Sequence, residues 1–362
     1  LIGGGPGAIF WMWVSAFFGM STIYAEATLA QQYKVKKDGE VTGGPVYYIR
    51  AAFKGTFGKA LAAIFAILIV LALGFTGNMV QSNSIGAAFS EVFSARNIEI
   101  PSIVFGLILA VVIGFIFLGG VNRLASVVEK IVPIMAGIYI VGSLVLILMN
   151  ITALPGAIKM IFVGAFNPEA VVGAGAGIAV REAIRFGVAR GLFSNEAGMG
   201  STPHAHARAK VENPHKQGLA AMISVFIDTF IILNLTVFSI LTTGVLDSGK
   251  EGTALTQAAF TKGFGNFGDI FVAVCLLFFA FSTILGWHFF GEVNVKYLFG
   301  EKAAKFYSIL VIGFVIVGST LKVQLVWSLS DFFNGLMVIP NAIALWALSG
   351  VVVKICKQYG KK

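Results

Sequence analysis

Residues 187–206, which read GVARGLFSNEAGMGSTPHAH, place hydroxyl, amide and carboxylate side chains beside a backbone that small residues interrupt. The residues expected to loosen the helical hydrogen-bond ladder are Gly191, Gly198, Gly200 and Pro203. In hydrocarbon, such backbone is tolerated only where protein covers it or where it lines a cavity. Half-helix ends attract a carboxylate at one terminus and a cation at the other. The stretch therefore predicts a small-ligand site, and the alternative is a polar re-entrant or cytoplasmic loop without a ligand.

The rest of the chain is apolar enough to hold this stretch at membrane depth. Of its 362 residues, 57% are hydrophobic and 12% are charged, whereas soluble chains carry about 25% charged residues. Apolar runs of about 20 residues, the spanning length of a helix, recur along the sequence. The pattern predicts an all-α polytopic membrane protein. The net charge of +9 does not indicate nucleic acid, because the basic residues fall mostly in loops.

Nine membrane spans are predicted from the apolar runs. They cover residues 8–31, 61–89, 101–119, 132–149, 176–207, 219–241, 270–290, 306–321 and 332–353. Residues 154–165 form an apolar piece too short to span, which is expected to lie at the interface. A loop is expected between residues 241 and 270. Residues 354–362 form a basic tail.

The distribution of basic residues predicts the orientation of these spans. If alternate loops lie on one side, starting with residues 34–59, that side collects most lysines and arginines, including the four lysines of residues 354–362. The positive-inside rule makes this side cytoplasmic. We therefore expect a multi-pass protein of the plasma (inner) membrane with its C-terminus inside. The parity requires residues 176–207 to cross the membrane, which disfavours the loop interpretation.

The spans also suggest an internal repeat. The chain begins at Leu1 without a methionine and looks truncated, so nine spans suggest a core of ten. Many transporters consist of two inverted five-helix repeats that each begin with a broken helix. On this count residues 176–207 open the second repeat, and residues 61–89 and 270–290 are equivalent third members. Both third members carry polar clusters in mid-span. The equivalence is inferred from hydropathy and position only.

Five motifs spread over the whole chain resemble the alanine or glycine:cation symporter family, the sodium:alanine symporters. They are GGPGAIFWMWVSAFFG (4–19), GGPVYYI (43–49), GNMVQSNSI (77–85), RGLFSNEAGMGSTPHAHA (190–207) and STILGWHFFGE (282–292). The resemblance implies a leucine-transporter-type fold of inverted five-helix repeats. It also implies uptake of alanine or glycine driven by Na⁺ and less often by H⁺. The family places a Gly-Thr-Gly-Asn broken helix before GGPG, so the first broken helix is expected to be missing here.

The resemblance implies one transmembrane transporter domain over residues 1–362. Residues 1–150 would hold the remainder of the first repeat, residues 151–353 the second repeat, and residues 354–362 the cytoplasmic tail. The expected partners are a small amino acid, Na⁺ and the lipid bilayer, without nucleic acid. Na⁺ serves as the coupling ion, and no other cofactor and no enzymatic activity are expected. H⁺ coupling stays open as the alternative.

Site residues follow from the resemblance together with the chemistry of the ligands. Na⁺ is a hard cation that prefers oxygen ligands, and Ser282 and Thr283 match the family's sodium-binding hydroxyl pair. Their alternative role is back-bonding to their own helix. The residues expected to contact the substrate are Gln81, Gly191, Phe193, Ser194, Asn195, Thr283 and Trp287. Gln81 would otherwise form an interhelical hydrogen bond, and the two aromatic residues would otherwise be core residues.

The break itself suggests how a zwitterionic amino acid would bind. Its carboxylate is expected near Gly198 and Gly200, where a half-helix begins, and its ammonium group near Gln81 or the carbonyls of residues 191–195. Intramembrane carboxylates are functional candidates by default. Asp228 lies deepest and is the best candidate for proton or cation coupling.

Two carboxylates and two other classes of protein are weaker candidates. Glu26 and Glu292 lie near the ends of their spans and could equally form structural ion pairs. An intramembrane hydrolase using Ser201 with His204 is a rival, but no GxSxG elbow or zinc motif supports it. A channel is disfavoured because selectivity rings usually arise from subunit symmetry.

Overall fold

The computed structural model describes residues 4–37, 39–117, 120–166 and 176–360. Within these ranges the chain is almost entirely helical, with one short antiparallel hairpin, β1 (Val35–Lys37) and β2 (Glu40–Thr42). The helices are α1 (Gly7–Gln32), α2 (Pro45–Ala52), α3 (Gly55–Ser94), α4 (Ser102–Phe117), α5 (Gly120–Met149), α6 (Leu154–Phe166), α7 (Ala176–Asn195), α8 (Pro203–Arg208), α9 (Pro214–Thr243), α10 (Gly252–Phe264), α11 (Gly268–Phe299), α12 (Glu301–Thr320), α13 (Val323–Ala347) and α14 (Ser349–Tyr359). Single π-helical segments interrupt α3 at Val70–Gly77 and α9 at Ile227–Leu233.

Seven of the described helices are long and apolar enough to cross a membrane. They are Gly7–Gln32, Gly55–Ser94, Glu129–Met149, Pro214–Thr243, Gly252–Phe299, Glu301–Thr320 and Val323–Ala347. The prediction of a polytopic α-helical membrane protein is confirmed. Two predicted spans are not among the seven. The span predicted at residues 101–119 contains the 16-residue α4 (Ser102–Phe117), and residues 176–207 divide into α7 and α8.

Two boundary predictions were wrong. The expected loop between residues 241 and 270 contains α10, whose threonines and glutamine made it too polar to read as a membrane helix. The last span starts at Val323 and ends at Ala347, not at residues 332 and 353, and α14 follows it. Asp331 had lowered the hydropathy of the first turns of α13. Its charge is matched by Arg190 of α7, at 2.6 Å, so it does not exclude the segment from the membrane.

The core lies between α3, α11 and α12. Phe65 and Ile69 of α3, Leu285 of α11, and Val311 and Val315 of α12 are fully buried there. Side chains on the outer surface are apolar and exposed, as lipid contact requires.

The three core helices approach one another closely where glycine backbone of α3 and α11 meets an aromatic ring of α12. A Cβ at Gly74 of α3 or Gly291 of α11 would lie 2.5 Å or 1.9 Å from the Tyr307 hydroxyl of α12. Small residues at such contacts allow membrane helices to approach closely.

Three long contacts link helices from the two halves of the chain. α1 packs along α9, α3 along α11, and α4 along α12. Each contact joins helices that the repeat hypothesis makes equivalent. The inverted-repeat arrangement itself stays a prediction.

Candidate functional site

The predicted broken helix is present, and its break covers residues 196–202. α7 ends at Asn195, and α8 begins at Pro203. Between them three residues have positive φ: Glu196 (57°), Gly198 (95°) and Gly200 (78°). The two glycines adopt this conformation at little cost. The expectation that Gly191 also opens the backbone was wrong, because α7 is continuous there. A Cβ at Gly191 would instead meet α1 within ordinary contact distance.

A buried carboxylate from α1 accepts hydrogen bonds from backbone amide groups of the break. Glu26 has no exposed surface. Its Oε2 accepts the Gly198 N–H at 3.0 Å, and its Oε1 accepts the Gly200 N–H at 2.8 Å. The Asn341 amide donates to Glu26 Oε1 at 2.6 Å and to the Gly198 carbonyl at 2.9 Å. Tyr48 of α2 donates to the Asn341 side-chain oxygen at 2.5 Å.

This network corrects two expectations. The amides of Gly198 and Gly200 were expected to bind a substrate carboxylate, but in this structure both donate to Glu26. Glu26 was expected to be either a functional carboxylate or a member of a structural ion pair, but its partners here are neutral amide donors. We call Glu26, Gly198, Gly200, Asn341 and Tyr48 the clamp. The clamp ties the break to α1, α2 and α13.

A second carboxylate, which the sequence had not singled out, lies within the break. Glu196 accepts the Trp287 indole N–H at 2.6 Å and the Ser201 hydroxyl proton. The Trp287 ring meets the Phe193 ring edge-on, with centroids 5.3 Å apart. The break is therefore attached to α11 through Glu196. Phe193 and Trp287 are in contact, and of the two only Phe193 lines the cavity described below. The only available signal for Glu196 was an acidic residue between glycines at membrane depth.

The proposed hydrolase pair does not form. The Ser201 hydroxyl points to Glu196, and His204 Nδ1 lies 2.6 Å from the Ser201 carbonyl oxygen. His204 Nε2 faces Asn294 at 2.8 Å. The group that accepts the Ser201 hydroxyl proton is therefore the Glu196 carboxylate and not the His204 ring.

A cavity of about 660 Å³ lies beside the end of α7. Gln81 of α3, Phe193 of α7 and Phe279 of α11 line it, and Trp327 of α13 forms a further wall. Phe193 and Trp327 are in ring contact, with centroids 4.7 Å apart. Gln81 has no hydrogen-bond partner in the described part of the chain, so its amide is available to a ligand in the cavity.

The cavity extends to one end of the bundle. Glu91 of α3 and residues 251–254 at the start of α10 line it there. The basic hairpin β1–β2 contacts α8, on the far side of the break from α7. A ligand would therefore reach Gln81 from the end that carries α10.

The predicted sodium hydroxyls point to their own helix. Ser282 Oγ and Thr283 Oγ1 both donate to the Phe279 carbonyl, each at 2.9 Å. Phe279 lines the cavity one turn away, so the pair lies close to it. The structure thus shows the back-bonded conformation that was weighed as their alternative role.

Ser194 and Asn195, also predicted substrate residues, turn to α9. Ser194 Oγ donates to Asp228 Oδ2 at 2.8 Å. The Asn195 amide donates to Thr229 Oγ1 at 3.2 Å, and its oxygen accepts the Ala197 N–H. These two residues are therefore adjacent to Phe193 in sequence but belong to a different polar cluster.

Three other charged pairs lie near these elements, in geometries expected for structural roles. Glu292 lies 3.0 Å from Lys296, and Glu182 lies 3.3 Å from Arg185. Arg190 binds both carboxylate oxygens of Asp331, and its guanidinium lies 4.2 Å from the Trp327 ring centroid.

A broken helix and a cavity of this kind are typical of a membrane carrier, and comparison with known proteins identifies the family. The profile of the Sodium:alanine symporter family matches residues 1–362, so the chain belongs to this family. It is 43% identical over 360 residues to the amino-acid carrier protein AlsT of Bacillus subtilis, which covers 99% of this chain and 75% of AlsT. The probable sodium/glutamine symporter GlnT of Bacillus subtilis is 42% identical over 99% of this chain and 73% of GlnT. The sodium/alanine symporter AgcS of Methanococcus maripaludis is 40% identical over 99% of this chain and 78% of AgcS.

Family membership confirms the resemblance read from the motifs. The chain is a multi-pass membrane transporter of a symporter family, not an enzyme.

Proposed function

We propose that this protein is a secondary active symporter that couples inward Na⁺ movement to uptake of a small neutral amino acid, alanine or glycine, by alternating access. The observation that carries the proposal is the cavity beside the break, where Gln81 presents an amide that has no hydrogen-bond partner among the described residues. An amide oxygen suits a substrate ammonium group, and the aromatic walls limit the space for a side chain.

The identity of the substrate rests on the walls of the cavity. Phe193, Phe279 and Trp327 line the cavity together with Gln81, and Trp287, which is not a lining residue, packs edge-on against Phe193. A methyl or hydrogen side chain fits beside these three aromatic rings better than a longer chain does. AgcS and GlnT carry alanine and glutamine in their names, so the two amino acids are the natural pair to compare.

Na⁺ is proposed to bind at the Ser282–Thr283 pair, with Thr283 also reaching the substrate. Both oxygens lie within one turn of the cavity-lining Phe279. A hydroxyl that donates to a backbone carbonyl keeps lone pairs for a cation. Gly191 contributes backbone to α7 next to Phe193 and shapes the site without contacting its open space.

The proposed orientation places the C-terminus in the cytoplasm of a cell whose plasma membrane holds the protein. Hairpin β1–β2 and α14, which carry Lys36, Lys37, Lys354 and Lys357, then face inside. The cavity opens at the external end. The equivalence of α3 and α11 in two inverted repeats is part of the same proposal.

The test is uptake of radiolabelled alanine into proteoliposomes, with and without an inward Na⁺ gradient. Saturable uptake that rises with the Na⁺ gradient, is competed by glycine and is poorly competed by glutamine supports the proposal. Uptake driven by a proton gradient and indifferent to Na⁺ would replace Na⁺ by H⁺ as the coupling ion. If glutamine competes with radiolabelled alanine at the same concentrations as unlabelled alanine does, the argument that the cavity selects small side chains is refuted.

A further inference from the structure

We propose that a groove on the outer surface of the helix bundle binds an acyl chain of a membrane phospholipid. The groove has a volume of about 450 Å³ and is formed by α3, α4, α5 and α11. It is separate from the cavity beside the break, because no described residue lines both. The inference depends on neither the substrate nor the coupling ion of the proposed function.

The groove has a buried floor and an exposed rim. Ile85 of α3, Leu109 of α4 and Phe281 of α11 are buried and form the floor, whereas Ile108 and Val112 of α4 are exposed and form one rim. The groove therefore opens to the outside of the bundle, where the apolar surface contacts lipid. A chain that enters it gains dispersion contacts with floor residues that the surrounding lipid does not reach.

An aromatic stack builds one wall of the groove in advance. Phe89 and Phe93 lie one turn apart on α3, and both stack on Phe105 of α4, with ring centroids 5.4 Å and 5.8 Å apart. Rings that hold one another in place do not have to be ordered when a ligand binds, and this lowers the cost of binding.

The lining of the groove selects an apolar occupant. Every described residue that lines it is a phenylalanine, leucine, isoleucine or valine, so none offers a side-chain hydrogen bond. Water or a polar ligand would lose hydrogen bonds there. α3 and α11 belong to segments that are long and apolar enough to cross a membrane, so the groove meets the hydrocarbon of the bilayer. The apolar molecule available at that depth is a phospholipid acyl chain.

The size of the lining residues favours a chain over a second copy of the protein. Helices in membranes pack through glycine, alanine, serine and threonine, which let the backbones approach. None of the described lining residues is of these types. Large branched and aromatic side chains keep a second helix away, whereas a flexible hydrocarbon chain can follow the space between them.

The groove and the Gln81 cavity share the same two helices. Ser84 of α3 and Phe279 of α11 line the cavity, whereas the adjacent Ile85 and Phe278 line the groove. The wall between the two spaces is thus one layer of helices. A chain in the groove packs against the outer side of this wall, and because it binds the folded state it should stabilise the protein.

The experiment adds a phosphatidylcholine with a photoreactive diazirine in one acyl chain to the purified protein in detergent, at increasing concentration. Labelled positions are found by peptide mass spectrometry, and the unfolding temperature is measured in parallel with ordinary phosphatidylcholine. The variant is Val112→Trp, which fills the groove from its rim. The matched control is Val111→Trp, because Val111 is the neighbouring residue of α4, is 74% exposed and does not line the groove.

We expect saturable labelling of Leu109 and Phe281 in the parent protein, together with a saturable rise in unfolding temperature. In Val112→Trp the concentration needed for half-maximal labelling of these two residues should rise at least about tenfold, and the rise in unfolding temperature should be lost. Val111→Trp should match the parent in both measurements.

The inference is overturned if Val112→Trp folds and keeps the labelling of the parent protein. If Val112→Trp does not fold, Ile108→Trp at the same rim is compared with Leu107→Trp, an exposed neighbour outside the groove, and equal labelling of these two variants overturns the inference. Labelling that never saturates shows only surface lipid and overturns it too.

A second copy of the protein is the remaining alternative occupant. If Val112→Trp changes the oligomeric mass in detergent and leaves the lipid labelling unchanged, the groove is a protein interface and the inference is wrong. A failure of Na⁺-driven alanine uptake would refute the proposed function without changing any of these results.

Discussion

Glu26 and Asp228 are intramembrane carboxylates on helices that pack together, α1 and α9, and both contact the broken helix. Glu26 is fully buried and accepts three hydrogen bonds, from Gly198, Gly200 and Asn341. Asp228 is half-buried and accepts hydroxyl protons on one oxygen only. The hydrogen-bond donors of Glu26 are two backbone N–H groups and a buried side-chain amide, which are fixed in place. The donors of Asp228 are two hydroxyl groups, which can rotate away from the carboxylate.

This difference separates a structural side of the break from a ligand side. The clamp belongs to the structural side, where backbone amides and a buried amide side chain fix the shape of the break. We assign Gln81, Phe193 and Asp228 to the proposed ligand side: the first two line the cavity, and Asp228 has no basic partner among the described residues. Changes on the structural side should therefore lower stability, and changes on the ligand side should lower affinity.

The largest expected effect is that of Glu26→Ala. It would leave the N–H groups of Gly198 and Gly200 and one N–H of the Asn341 amide buried without an acceptor, at about 1–3 kcal/mol each. Folded yield and unfolding temperature in detergent should fall sharply, and the exposed Glu212→Ala should change neither. If Glu26→Ala folds as well as the parent protein but binds substrate more weakly, Glu26 acts in ligand binding and not in holding the shape of the break.

Gly200→Ala should come next. Gly200 has φ of 78°, and a Cβ there would lie 2.8 Å from the Phe65 ring. The left-handed conformation costs an alanine about 1–2 kcal/mol, and overpacking adds about 1–3 kcal/mol. The unfolding temperature should fall by more than in Gly39→Ala, because Gly39, with φ of 84°, shares the conformational cost but has no neighbour within 4 Å. Equal losses in both variants would assign the effect to backbone strain alone.

Trp287→Phe tests the link between the two sides. It keeps an aromatic ring beside Phe193 and removes the N–H that Glu196 accepts, which should cost about 1–3 kcal/mol. We expect a moderate loss of both unfolding temperature and maximal uptake rate. A change in substrate affinity alone would show that the indole acts through its contact with the cavity-lining Phe193 and not through Glu196.

Gln81→Ala should spare stability. Its amide has no partner in the described chain, so truncation strands no protein group, while a hydrogen bond to a charged substrate group is worth about 1.5–3 kcal/mol. The KM for alanine should rise at least about tenfold with the unfolding temperature unchanged. Gln358→Ala, an exposed glutamine on α14, is the control. An unchanged KM would exclude Gln81 from the substrate site.

Thr283→Ala should give the smallest effect of the five. The hydroxyl back-bonds to Phe279, so stability should change by less than about 1 kcal/mol. If the oxygen binds Na⁺, the half-saturating Na⁺ concentration should rise by roughly threefold, and Thr320→Ala, a back-bonded threonine of α12, should not change it. An unchanged Na⁺ dependence would remove Thr283 from the cation site.

Much of this protein could be predicted from its sequence. The apolar runs gave the membrane class and most helices, because helix length is matched to the bilayer and helical hydrogen bonds are local. Gly198, Gly200 and Pro203 marked the break, because their backbone constraints act within a few residues. Motifs spread along the chain identified the symporter family.

Only the tertiary structure decided which polar groups satisfy one another. Asn341 meets Glu26 across 315 positions in sequence, and Asp331 meets Arg190 across 141. Hydropathy scores each charge alone, so Asp331 lowered the score of the first turns of α13. The ion pair with Arg190 lets this charge lie within the membrane helix. The same limit hid the clamp and the Glu196–Trp287 bond. The partner of a buried polar side chain is fixed by how whole helices pack, and a local pattern of residues does not contain that information.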